Sequence, residues 1–477
     1  MKILLALLLT TMALAADSRD SWPMRWRVYA DPVAGIAFRH PYDVIPKEVD
    51  AGELYRVNPD TWTFAPTPVI RVFTRTDGDA RAAGATEAGA DVAWSPWLPT
   101  TAKGKKPGPG GVLGTVGKGP TERTILAIGL DTRTVGLVLA GGPEDGDNPG
   151  ILASAEALVA PPKSKVVPAT SRDLQGRQGI VWDAAGKPVD HRRTGKVAPV
   201  PWAQAWELET EHYHLTSNTS PARLAWHGAY LEALYRAYAV IYQPARMPPG
   251  KCEVHLFNTQ AEFRATANAW GSRLPPPSDG SILGGFFSPG LASLWVYEES
   301  GILGGSDMAI ERVIAHECSH QFLHLATNGN RTVPTWLNEG LAVYFESGVF
   351  RDGQFQIRSP AGRLDRLKAL YQEQGDTLAP LDQYIDHRGH IGPDQYGEVY
   401  AMTHFWLFGA CNGPSCRHQT CGLARFRRYW ADLKTGADGS AAFEKYFLAD
   451  MITAKGGREQ ALAAWKAALL TYAKTLK

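Results

Sequence analysis

Net charge is nearly absent from this chain: 49 lysines and arginines face 48 aspartates and glutamates in 477 residues, a formal balance of +1. Gripping nucleic acid or an anionic membrane surface requires a basic excess, so neither is an expected partner. Long apolar runs are missing after the first sixteen residues. A spanning helix needs about 20 consecutive apolar residues, and no later segment supplies them, so no stable membrane insertion is expected once the N-terminus is removed. Cysteine is scarce, with five residues. None stands where a bacterial lipoprotein would be cleaved, which argues against a lipid anchor. No internal repeat is visible.

What is there begins at the N-terminus. Lys2, the apolar run Ile3 to Leu9, and Ala13-Leu14-Ala15 before Asp17 have the layout of a secretory signal peptide, assigned to residues 1–16. The protein is therefore expected to be exported, to a periplasm or to the medium. Cys411, Cys416 and Cys421 crowd into one Gly- and Pro-containing segment. In an oxidising compartment this predicts one local disulfide with one thiol left over. A second zinc site involving His418 is the alternative, on a spacing uncommon for zinc. Cys252 and Cys318 read as buried small hydrophobes.

Three regions follow. Residues 22–162 are strand-rich, with WRVYA, GIAFRHPYDV, TPVIRVFTRT and TILAIGLDTRTVGLVLAGG each bounded by turn residues, and ILASAEALVA as a short closing helix. Their middle, 77–120, is heavy in Gly, Ala, Pro and Lys and reads as a long loop. Residues 163–201 are polar and punctuated by Gly and Pro, as in a linker. From 202 to 477 strands come first and helices afterwards, which predicts an α+β domain behind a small α+β N-terminal domain.

The chemistry sits in the last region. In ERVIAHECSHQFLH, His316, Glu317 and His320 form H-E-x-x-H. On a helix of 3.6 residues per turn, positions i and i+4 share a face, so two imidazoles can reach one ion. Glu317 is offset around the helix and can address a water at that ion without ligating it. A chance match somewhere in the chain is about one in fifty, so a third ligand must decide. Leu323 and Ala326 stand where the metzincin pattern needs Gly and His, which excludes that arrangement. Instead, eighteen residues lie between His320 and Glu339, in VPTWLNEGLAVYFE. That segment reads as a second helix after Pro334, able to complete a His2Glu site for one zinc ion.

HECSHQFLH, the eighteen-residue gap and WLNEGLAVYFE resemble the zinc-binding region of gluzincin metallopeptidases, with the M1 aminopeptidases the most similar in motif and spacing. About the last 270 residues are similar to a group of bacterial exported proteins of that superfamily. The resemblance implies a thermolysin-like catalytic domain and hydrolysis of peptide or protein substrates. It gives Glu317 the role of general base and implies a downstream tyrosine that donates to the oxyanion. Tyr396 matches best, and Tyr400 is the alternative one turn along. Substrate is expected to bind as an extended strand beside LASLWVYEE, since a free sheet edge offers backbone donors and acceptors to any peptide. GIAFRHPYDV resembles the opening of photosystem-II PsbP-like domains.

The departures are specific. The G-x-M-E-N segment of M1 aminopeptidases, whose glutamate grips a free amino terminus, is absent. Glu298 or Glu299 could replace that glutamate, and without one an endopeptidase is expected rather than an aminopeptidase. Thermolysin-like enzymes carry an aspartate four residues after the Glu ligand; here that residue is Val343. Glu346 is the candidate to orient a zinc histidine in its place. His324, i+8 from His316, lies too far along the helix to share the ion and is assigned as a neighbour. A different class of function is a non-catalytic envelope protein that keeps the fold, but such a protein commonly loses its base, and Glu317 is present.

Overall fold

The computed structural model describes most residues between 26 and 476. The longer stretches it leaves undescribed after residue 25 are 99–108, 158–178, 243–250, 270–283, 299–309, 375–383 and 410–419. Residues 1–16, read as a signal peptide, fall outside the described residues with Glu299, Cys411, Cys416 and His418, as does the side chain of Cys421. The chain is of the α+β class, and no described helix is long and apolar enough to cross a membrane. It divides into two units.

The first unit comprises residues 1–228, 248–282 and 290–299. Its N-terminal core is built on the hairpin Arg123–Leu130 and Arg133–Ala140, whose near-continuous apolar run needs cover on both faces. Alternation delivers it. Leu126, Ile128, Val135, Leu137 and Leu139 pack with Phe38, Ile36 and Ile151 in one core. Ile125, Ala127 and Val138 face the other way, onto Ala83 and Ala88. Those alanines belong to a helix, Ala80–Ala88, inside the stretch read as a loop. Asp79 caps it by accepting hydrogen bonds from the Arg81 and Ala82 amides, at 2.9 and 3.2 Å. Strands Trp94–Trp97 and Gly111–Val116 also lie there and extend the sheet. The Gly and Pro content had hidden a capped, alanine-rich helix and a strand pair. Likewise the closing helix is Asn148–Ser154, earlier than expected, because Ala155 is already extended.

A further sheet in this unit runs in the order Pro188–Val189, Val181–Trp182, Trp206–Glu209, Tyr213–Ser217, Cys252–Phe257, Ser293–Tyr297. Two of its short strands lie within the stretch read as a linker. Cys252–Phe257 pairs in parallel with both of its neighbours and is buried throughout. The helix Gln260–Ala269 follows it and packs Phe263 against Phe257 and Tyr297.

Charged groups join this sheet to the N-terminal strands. Arg27 donates to the Leu291 carbonyl at 2.7 Å and lies 3.6 Å from the Glu253 carboxylate. His214 Nδ1 is 3.1 Å from the same carboxylate, with both side chains fully buried. Arg39 pairs with the buried Glu209. Burial opposes charge on His214, but Glu253 and Glu207 outweigh it and raise its pKa to about 9.

The second unit, residues 229–247, 283–289 and 300–477, is mainly helical. At its centre the helices Ile310–Ala326 and Thr335–Glu346 pack together, and Tyr396–His404 packs on the latter. Three tyrosines from the helix Pro221–Tyr242 lock the first of these in register. Tyr230 donates to the Glu311 carbonyl at 2.6 Å and Tyr238 to that of Ala315 at 2.7 Å. Tyr242 shares a 2.8 Å hydrogen bond with Ser319. Their partners recur every four residues, one helical turn. Cys318 is buried in the same helix, and Cys252 in its strand.

Candidate metal centre

Helical spacing puts His316 and His320 on one face, with ring centroids 4.9 Å apart and planes at 82°. The helix bearing Glu339 begins after Pro334 and presents its carboxylate to both: Oε2 lies 3.3 Å from His316 Nε2 and Oε1 lies 3.8 Å from His320 Nε2. Two atoms each 2.0–2.1 Å from a tetrahedral ion would be about 3.3 Å apart. One ligand atom from each residue can be chosen so that all lie within 4.8 Å of one another.

The outer nitrogens are accounted for as well. His316 Nδ1 lies 3.0 Å from Glu346 Oε2, and His320 Nδ1 lies 2.8 Å from Asn338 Oδ1. Both acceptors require N–H on Nδ1, which leaves the Nε2 lone pairs facing Glu339. Glu339 Oε2 is buried and takes no hydrogen bond. A buried acceptor without a donor, 3.3 Å from the His316 Nε2, suits a cation. The residues present fit one divalent metal ion.

Electrostatics agree. Burial works against a charged His316, but the Glu339 and Glu346 carboxylates overcome it and lift its pKa to about 10. The surroundings demand positive charge at this spot, as a proton or as a metal. Burial is the main cause that pushes the Glu317 carboxyl up, with Glu339 adding and the two imidazoles opposing. Glu317 Oε2 accepts the Phe287 amide at 3.1 Å, from the strand Gly285–Ser288 that packs beside this helix.

Among the remaining candidates, Tyr396 stands at the site and Tyr400 does not. The Tyr396 ring lies 5.5 Å from that of His316. Burial, then the Glu339 and Glu317 carboxylates, raise its hydroxyl pKa far above the ordinary 10, so it remains a proton donor. Tyr400 is buried between Tyr344 and His404. His324 packs on Phe287 and lies outside the ligand group. Glu298 accepts from Arg223 at 2.8 Å and lies 3.0 Å from His227. Ser293–Tyr297, the strand expected to receive substrate, belongs to the other unit, where it pairs with Cys252–Phe257.

Three features escaped the sequence reading. Asn338, beside Glu339, orients His320. Arg363 donates to Glu346 Oε1 at 2.6 Å and covers the Tyr396 ring, with its guanidinium carbon 4.6 Å from the ring centre. Gly340, the glycine of WLNEG, makes room for the Tyr396 helix: a Cβ there would strike Thr403 Oγ1 and come within 2.5 Å of the Val399 carbonyl. The glycine beside a glutamate ligand was the only signal available for that approach.

No protein-family model and no curated protein matches this chain.

Proposed function

We propose that the chain is an exported zinc-dependent peptidase of the gluzincin kind, with a thermolysin-like catalytic domain in which His316, His320 and Glu339 hold one zinc ion. The observation that carries this reading is the pair of oriented histidines. Each turns its Nδ1 to an oxygen acceptor and its Nε2 to the Glu339 carboxylate. A hydrogen-bonding or core role for these histidines would not need both inner nitrogens aimed at one carboxylate.

Zinc, when bound, would polarise the scissile carbonyl and acidify a water to near neutrality. Glu317 takes the proton of that water and hands it to the departing amine, a task suited to a carboxyl whose pKa burial has raised. The Phe287 N–H holds the Glu317 carboxylate in place for this transfer. Tyr396 donates its O–H to the oxygen on which negative charge develops. Extended substrate lies along Gly285–Ser288, the strand next to the motif helix, and offers it backbone groups.

Internal cleavage is favoured over release of N-terminal residues. An aminopeptidase needs a free carboxylate for the substrate's amine; of the two candidates, that of Glu298 is held by Arg223 and His227, and Glu299 lies outside the described residues. Incubation with unfolded casein tests the reading. Cleavage that is lost with a chelator and in Glu317→Gln, and that persists on N-acetylated peptides, is expected. Metal retained with no Glu317-dependent cleavage of any peptide would instead make the chain a binding protein.

A further inference from the structure

Arg363 is the cation next to the site whose hydrogen-bonding capacity is only partly used. Its Nε donates to Glu346 Oε1, and its guanidinium lies on the Tyr396 ring. These contacts fix the plane and one edge of the group. The terminal nitrogens Nη1 and Nη2 have no partner among the described residues, and the side chain keeps 20% of its surface exposed. By the two ring distances, its guanidinium carbon is no more than about 10 Å from the His316 ring, or one to three residues of extended peptide.

We infer that Arg363 is a specificity-determining residue that receives a substrate carboxylate, either an acidic side chain close to the scissile bond or the free C-terminus of a short peptide. The reasoning is geometric. Two coplanar N–H groups at the end of a guanidinium match the two oxygens of a carboxylate, and a lysine in that place would offer only a point charge. Glu346 and Tyr396 immobilise the fork beforehand, so little rotamer freedom is lost on binding. The inner edge of Arg363 serves the brace on His316, and its outer edge serves the substrate. An arginine needed only to steady Glu346 could turn its terminal nitrogens to that carboxylate as well; here only Nε does so, on a side chain 20% exposed.

This inference rests on the peptidase reading, yet it can be tested without turnover. The zinc-loaded full-length Glu317→Gln protein is titrated with three fluorescent peptides of one sequence. The first is C-terminally amidated and free of acidic residues, the second carries one glutamate at a central position, and the third ends in a free carboxylate. One charge-assisted contact should make a carboxylate-bearing peptide bind about 10- to 100-fold more tightly than the amide. Advantage for the second peptide identifies an acidic side chain as the ligand, and advantage for the third identifies the C-terminus. In the Glu317→Gln/Arg363→Met protein the ratio of affinities should collapse to about one, with Arg363→Lys restoring part of it. Equal binding of all three peptides, or an unchanged ratio after Arg363→Met with zinc content and melting temperature preserved, would overturn the inference. The same peptides given to the unmodified protein report separately on the peptidase reading: failure to cut any of them defeats that reading, while the ratio still decides the role of Arg363.

Discussion

Glu346 offers the most direct way to perturb the proposed metal centre without touching a proposed ligand. Its side chain is 5% exposed, and its carboxylate meets His316 Nδ1 at 3.0 Å, Arg363 at 2.6 Å and Arg312 at 3.3 Å. Burial would raise the pKa of this carboxyl, but His316 and Arg363 hold it near 2, so it is ionised at neutral pH. An anionic acceptor on Nδ1 makes the imidazole more basic at Nε2 and fixes its tautomer. Glu346→Gln keeps the volume but turns a charge-assisted hydrogen bond into a neutral one, about half as strong. Glu346→Ala removes it, and loss of such a partner costs typically 10- to 100-fold in metal affinity, about 1.4–2.7 kcal/mol. The expected order of zinc affinity is therefore wild type, then Glu346→Gln, then Glu346→Ala. Competition against a chromophoric chelator at neutral pH measures it, with a melting curve to establish that each variant is folded. If Glu346→Ala is folded and binds zinc as tightly as wild type, the tautomer of His316 is set by something else and the reasoning fails.

Three other outcomes are expected. Tyr396→Phe should lower kcat by roughly 10²–10³, the usual loss for one oxyanion donor, with zinc content unchanged, whereas Tyr400→Phe should leave kcat near wild type; the reverse order in a peptide assay would exchange their roles. Gly340→Ala should cost about 1–3 kcal/mol, seen as a lower urea midpoint, because the new methyl falls against Thr403 and the Val399 carbonyl. The buried histidines of the first unit should give stability a maximum near pH 6.5. Burial holds His40 and His255 near 3 against an ordinary 6.5, so their contribution is complete above pH 6.5 and lost as pH falls toward 3. His214, raised to about 9, contributes fully below 6.5 and loses its contribution as pH rises through 9. Urea midpoints across this range should show both limbs, and His40→Asn should flatten the acid one.

The motif residues were legible because their geometry is local. Helical spacing alone puts His316 above His320 and leaves His324 outside the cluster they form with Glu339. Glu346, two turns beyond Glu339 on the same helix, could also be read this way. Choosing between Tyr396 and Tyr400 required knowing how their helix meets the Glu339 helix, a contact set by Gly340, where a Cβ would come within 2.5 Å of the Val399 carbonyl. Arg363 and Asn338 were invisible for the same reason: each role depends on how two helices cross. The hydroxyl contacts of Tyr230, Tyr238 and Tyr242 could not be foreseen either, because nothing in the sequence says whether a buried hydroxyl has an acceptor to reach. In the N-terminal strands apolar runs between turn residues were sufficient. In 77–120 composition misled, since glycine and alanine there permit close packing of a helix on a sheet rather than a loose loop.

Metal content of the purified full-length protein tests the central claim most directly. After equilibration with zinc and removal of the excess, the wild-type chain and Glu317→Gln should each hold one ion per chain, and Glu339→Ala should hold far less. A Glu339→Ala protein that remains folded and keeps its full complement of zinc would contradict the assignment of the site.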